Sequence, residues 1–139
     1  MSIPVDIDKL ASAVADFGAG YLLTVSPQGR VKAVTVDPVV ESGAVRILGQ
    51  SRGSAENLVG NPAVTVVYPP LETHGYSLII DGTATVVNDG FEITPTAAVL
   101  HRPAAHADGP PPPGAARTTA SGSDRARARS AWGQCDQRQ

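Results

Sequence analysis

Apolar positions recur first at helical spacing and then, from residue 21 onward, every second residue. Leu10, Val14 and Phe17, with Ala11 and Ala15 beside them, form one stripe of a short amphipathic helix. Asp6 and Asp8 stand ahead of it as candidate caps, and Gly18 supplies the stop. Alternating runs follow at residues 21–25 (YLLTV), 31–36 (VKAVTV), 44–48 (AVRIL) and 63–68 (AVTVVY). Residues 76–80 and 83–87 read as one long strand with a bulge or barrel corner at Asp81-Gly82. Residues 91–93 and 97–100 complete the strands. The connections carry turn chemistry: Ser26-Pro27-Gln28-Gly29, Asp37-Pro38, Glu41-Ser42-Gly43, Pro69-Pro70 and Asn88-Asp89-Gly90. A second short helix ends at Asn61-Pro62. The pattern predicts about six short strands and two short helices, with the antiparallel sheet curled into a small barrel. Strands and helices do not alternate, which argues against a parallel α/β architecture.

The pattern stops at Pro103. Residues 103–139 contain no Val, Ile, Leu, Met or Phe, and Pro110 to Pro113 run together. Such a segment buries too little apolar surface to offset chain entropy. The expectation is one folded domain over residues 1–102 and a disordered Pro/Ala/Arg-rich tail over 103–139. Charge divides at the same point. Residues 1–102 hold six Lys/Arg against ten Asp/Glu, and the tail holds five against three. A mildly acidic folded part argues against nucleic acid as the partner, and Arg125, Arg127 and Arg129 read as a solvated tail. A single cysteine, Cys135, excludes an internal disulfide. No signal-like segment or bilayer-length apolar run occurs, so a cytoplasmic protein without a membrane partner is expected.

The candidate chemistry lies in VRILGQSRGSAENLVGNP, residues 45–62. Here a strand runs into a glycine-flanked polar turn and then a helix, whose free N–H groups and dipole would face Ser51, Arg52 and Ser54. Together they suit an anion, a phosphate above all. Lys32 is the only charge on its strand face and is either a snorkelling edge residue or a second cation for a ligand cleft. Gly49 to Gly53 also fits G-x-S-x-G, the nucleophile elbow, with Ser51 as nucleophile, Asp81 or Asp89 as acid and His101 as base. His74, His101 and His106 have no metal-ligand spacing, and no metal site is expected.

The order of these elements, together with NLVGNP, AVTVVYPP and SLIIDGTATVV, resembles the pyridoxamine 5′-phosphate oxidase-like split β-barrels over about residues 8–102. TPTAAVLHRP resembles a small actinobacterial subgroup of them. The resemblance implies a mainly β fold with two short helices, an antiparallel six-stranded split β-barrel. It implies a homodimer with FMN, or a deazaflavin coenzyme, held between subunits. Two-fold pairing is expected through the sheet face bearing Lys32 and Val34. In that family an Arg-Lys pair in the turn after the third strand grips the phosphate. Aligned on Asn61-Pro62, Gly53 and Ser54 stand in its place here, and Arg52 is one residue early. The implied cofactor-binding set is Lys32, Thr35, Leu48, Gln50, Ser51, Arg52 and Ser54, with backbone contacts to the ring from residues 33–36 and 47–50. Hydride transfer to or from a small substrate would follow, with no catalytic side chain identified. Two other readings stay open: a non-catalytic cofactor-binding or degenerate split-barrel dimer, and, more distantly, a serine hydrolase.

Overall fold

The computed structural model describes residues 1–49 and 51–113, so Gln50 and the tail beyond residue 113 lie outside it. The strands are β1 (Ser2–Pro4), β2 (Gly20–Val25), β3 (Val31–Val36), β4 (Val39–Glu41), β5 (Ala44–Leu48), β6 (Ala63–Tyr68), β7 (Ser77–Val87) and β8 (Gly90–His101). The helices are α1 (Leu10–Val14) and α2 (Arg52–Gly60).

All eight strands among the described residues belong to one antiparallel sheet in the order β3-β2-β6-β7-β8-β5-β4, with β1 on the edge of β8 opposite β7, the edge that β5 also uses. The ends of that order, β3 and β4, are joined by only Asp37 and Pro38. Three Cα–Cα steps span at most about 11 Å, so the sheet must curl until its two edges approach. It does not close, because no ladder links β3 to β4 among the described residues.

Among the described residues eight strands replace the seven runs read from the sequence as about six strands. The two extra strands, β1 and β4, have three residues each, too few for an alternation to register. The last two expected strands are one, because the irregularity falls within the β7–β8 ladder. Asp81 pairs with Ala97 and Gly82 with Pro95, so Thr96 is the extra residue and β8 runs through unbroken.

α1 is also shorter than its stripe suggests, preceded by a 3-10 turn over Ile7–Lys9 and capped by Lys9. Neither helical turn is closed by a carboxylate: Asp6 makes no side-chain cap hydrogen bond. Phe17, beyond the helix, tilts against Tyr68 at 5.8 Å between centroids.

Alternate residues of β2, β5, β6, β7 and β8 fill the interior, with Leu22, Val45, Val66, Leu78, Ile80 and Leu100 fully buried. Val34 and Val36 of β3 pack against this core. The face bearing Lys32 and Val34, which the sequence suggested for two-fold pairing, is therefore turned to the core at Val34 and Val36, while Lys32 stays exposed. Tyr21 and Val31, two of the exposed apolar side chains, lie on the opposite face. Beside them a shallow cleft of about 490 Å³ is lined by Leu23, Val25, Ala63, Thr65 and Asp81.

Residues 103–110, assigned to the tail on composition, pack against the barrel. A 3-10 turn over Ala104–His106 and the chain after it contact His74 and Arg102. Among the described residues no helix is long and apolar enough to cross a membrane.

Candidate functional site

The turn between β5 and α2 is built locally. Ser51 is the N-cap of α2 in extended backbone, and its Oγ accepts from the Ser54 amide at 3.3 Å. The Ser51 hydroxyl donates in turn to Ser54 Oγ at 2.9 Å, and Ser54 is fully buried. The two serines thus lock the first turn of the helix. α2 is held to the sheet by Leu58 and by Asn57, whose Nδ2 donates to Thr24 Oγ1 at 2.9 Å with both residues buried. Thr24 is the register partner of Lys32 on β3, so the bond fixes the helix next to the strand that carries the lysine.

Lys32 follows from that placement. It shares the inward face of β3 with Val34 and Val36, but at the strand end its side chain runs out over the first turn of α2. A Cβ on Gly53 would stand 2.6 Å from Lys32 Cε and 3.1 Å from its Nζ. The lysine stem occupies the space that any other residue at position 53 would fill. Its ammonium therefore arrives at the first turn of α2, which Arg52 opens, at the positive end of the helix dipole. Arg46 pairs with Glu41 and His74 with Asp108, and among the described residues neither Lys32 nor Arg52 is in an ion pair. Two cationic residues thus belong to one helical turn, and among the described residues no carboxylate pairs with either. This donor set fits a phosphate.

Of the residues singled out from sequence, Lys32, Ser51, Arg52 and Ser54 thus surround one helical turn. Leu48 ends β5 just before it and is 67% exposed, an apolar lip on the same turn. Thr35 stands three positions along β3 from Lys32, on the opposite face, exposed and paired with Tyr21. Gln50 lies outside the described residues. Gly53 and the Asn57–Thr24 bond were missed. The available signal was a glycine inside the first turn of a helix, where propensity disfavours it unless something approaches closely.

The hydrolase triad does not assemble. Leu48 pairs with Gly90 at one end of β8, and His101 is the last residue at the other. Roughly 35 Å of strand lies between them at about 3.3 Å per residue. The His101 ring nitrogen Nδ1 instead meets Ser2 Oγ at 3.1 Å, and Asp81 Oδ1 accepts from Thr65 at 2.6 Å. Among the described residues no group of three His, Cys, Asp or Glu side chains is arranged for a metal ion.

No family model matches the chain. Two mycobacterial proteins do: the uncharacterized proteins Mb0449c of Mycobacterium bovis and MT0457 of Mycobacterium tuberculosis. Each is 36% identical over 117 residues, covering 73% of this chain and 82% of the relative. The chain belongs to their family. Solved structures agree on the fold. A Listeria innocua protein named as a candidate pyridoxamine 5′-phosphate oxidase aligns with TM-score 0.57 at 16% identity, covering 68% of this chain and 96% of its own. A FAD-binding protein of Mesorhizobium loti gives 0.56 at 12%, with 73% and 99% covered. An F420 reductase gives 0.51 at 17%, with 63% and 93% covered. At such identities the likeness is one of fold, and this chain shares the split-barrel fold of these proteins.

Proposed function

We propose that this protein binds a flavin-type cofactor, FMN or a deazaflavin, and passes a hydride to or from a small substrate. One observation carries the reading: Lys32 crosses Gly53 to bring a second cation to the N-terminus of α2. The resembled family draws both cations from the turn. Here one comes from the turn, Arg52, and the other from β3, which offsets the Gly-Ser at positions 53 and 54. Lys32, Arg52 and the first amides of α2 would hold the phosphate, with Leu48 against the apolar part of the ligand. The isoalloxazine, when bound, supplies the hydride chemistry itself, so no acid–base pair is required of the chain. The fold shared with flavin- and F420-binding proteins supports the same reading.

The exposed apolar face around Tyr21 and Val31 supports a homodimer, with the cleft beside Leu23 and Asp81 at the subunit contact. Gel filtration with light scattering at micromolar concentration should report twice the chain mass, and a Val31→Lys variant should run as a monomer.

Titration with FMN and riboflavin tests the cofactor site. Arg52→Ala should weaken FMN by roughly 1.5–3 kcal/mol, the scale of a hydrogen bond to a charged group. That is about ten- to a hundredfold in Kd. Riboflavin, which lacks the phosphate, should lose less, and the FMN effect should shrink at high salt. Equal affinities of wild type and variant for both ligands would remove the phosphate site. Reduction of the bound cofactor by candidate substrates then separates an oxidoreductase from a protein that only carries the cofactor.

A further inference from the structure

Away from this site, the chain after β8 folds back over the loop that precedes β7. Arg102 is 6% exposed, its guanidinium lies 4.1 Å from the Tyr76 ring centroid, and Nη1 donates to the carbonyls of His74 at 3.3 Å and Pro110 at 2.8 Å. The rings of His74 and His106 stack at 4.0 Å between centroids with 6° between planes. His74 Nδ1 lies 2.8 Å from Asp108 Oδ1. Gly109 packs so closely on the His74 carbonyl that no side chain could stand there. His74 itself has φ 60, a backbone state rarely held by a non-glycine residue without surrounding contacts to fix it.

We propose that this cluster is a pH-gated clasp for the segment from Pro103 to Pro110, closed while at most one of the stacked imidazoles is protonated and opened when both are. With one proton, His74 donates to the Asp108 carboxylate and a neutral His106 stacks on its face. With two, a pair of like charges faces each other at stacking distance and only one carboxylate is present. The Arg102 guanidinium adds a third positive charge to the same cluster. The other titratable groups nearby are Tyr76, under Arg102, and the Met1 ammonium, which donates to the Arg102 carbonyl. Glu72, in the same loop, contributes its backbone carbonyl to Gly75.

The hydrogen bond from His74 holds the Asp108 carboxyl below its ordinary range. A depressed carboxyl contributes its stability above its unfolded pKa and loses it only as the pH falls through the folded value. Asp108 therefore stays charged well into the acid range, and the charge that changes within the clasp is that of the imidazole pair.

Amide hydrogen exchange on the full chain tests the clasp. The reporters are the amides of His106, Ala107 and Gly109, which donate to Pro103, Ala104 and His106. Ile80 and Leu100 in the core serve as references. After correction for intrinsic rates, reporter protection should fall roughly tenfold or more between pH 7.5 and pH 5, with the core unchanged. Sodium chloride at 1 M should restore part of it by screening. His106→Phe, which keeps a ring but cannot charge, should hold its protection at pH 5. Asp108→Asn should lower protection at both pH values. Equal wild-type protection at the two pH values, or an acid loss untouched by salt, or the same acid loss in His106→Phe, would overturn the clasp.

Discussion

Two places in this small barrel gather positive charge, and they are built in opposite ways. At the N-terminus of α2, Lys32 and Arg52 are exposed and form no ion pair among the described residues. At the end of β8, Arg102 is buried, yet two carbonyls and an aromatic ring surround it. Nη1 is partnered twice although Nε is buried without a partner among the described residues, and those bonds tie two loops together, so the second arrangement is a structural joint. Exposed cations stacked on a helix dipole gain nothing in the free protein and repel one another slightly, so the first arrangement makes sense as a receptor for an anion. Burial with partners marks a joint, and exposure without them marks a binding surface.

The sharpest way to break this contrast is Arg102→Ala. It strands the carbonyls of His74 and Pro110, removes the cation–π contact and leaves a gap over Tyr76. A loss of roughly 3–4 kcal/mol of stability is expected, read from urea midpoints. Loss under about 1 kcal/mol would mean that Arg102 is not a joint. Arg52→Ala, by contrast, should leave the midpoint within about 0.5 kcal/mol.

Tyr68 tests what burial without a partner does. It is 1% exposed and its hydroxyl has no hydrogen-bond partner among the described residues. Burial, with the Asp37 carboxylate adding to it, pushes the phenol up to about 12. The folded state therefore keeps its proton where the unfolded chain has already lost it. The contribution is intact below pH 10 and is lost as the pH rises from 10 towards 12, roughly 2–3 kcal/mol at 1.36 kcal/mol per unit. Tyr68→Phe should flatten that alkaline decline and be nearly neutral at pH 7, since no hydrogen bond is lost. A steep decline in the variant as well would assign the alkaline sensitivity to other groups.

Alternation and turn chemistry made the sheet legible, including the irregularity at Asp81-Gly82, because burial on one face writes period two into a sequence. The three-residue strands were not, since pairing on β8 and β5, rather than local pattern, makes them strands. The turn at Ser51 was legible for the same local reason. The Lys32 approach was not, because it depends on β3 and α2 meeting in space. Composition hid the clasp: Ala, Pro, Gly and His read as tail, but His106 and Asp108 are fixed by polar and stacking contacts to His74 that need no aliphatic core.

Lys32→Gln carries the comparison back to the binding side. An ammonium is a point charge without the bidentate fork of arginine, so its removal should weaken FMN by roughly 1.5 kcal/mol, about tenfold, at the low end for charged hydrogen bonds. Stability should hardly change. Additive losses in the Lys32→Gln, Arg52→Ala double variant would mean that the two cations contact the phosphate independently. A loss in the double variant no larger than in either single one would mean that they act as one unit.

Gly53→Ala has the smallest effect and separates the two roles most cleanly. The added Cβ meets no backbone, only the far end of the Lys32 side chain. Lys32 is exposed and flexible, so it can swing aside at little cost. Alanine within a helix is favoured over glycine by about 0.8–1 kcal/mol, so the variant should be as stable as wild type or up to about 1 kcal/mol more stable. FMN affinity should nevertheless fall several-fold, because the ammonium no longer reaches the helix N-terminus, and riboflavin affinity should stay the same. A structural role for Gly53 gives the opposite signature, a lower midpoint with FMN affinity following it down. Thermal melts paired with FMN titrations of this one variant distinguish the two. In the Lys32→Gln background the Gly53→Ala effect on FMN should shrink to nearly nothing, since the side chain that the methyl displaces then carries no charge.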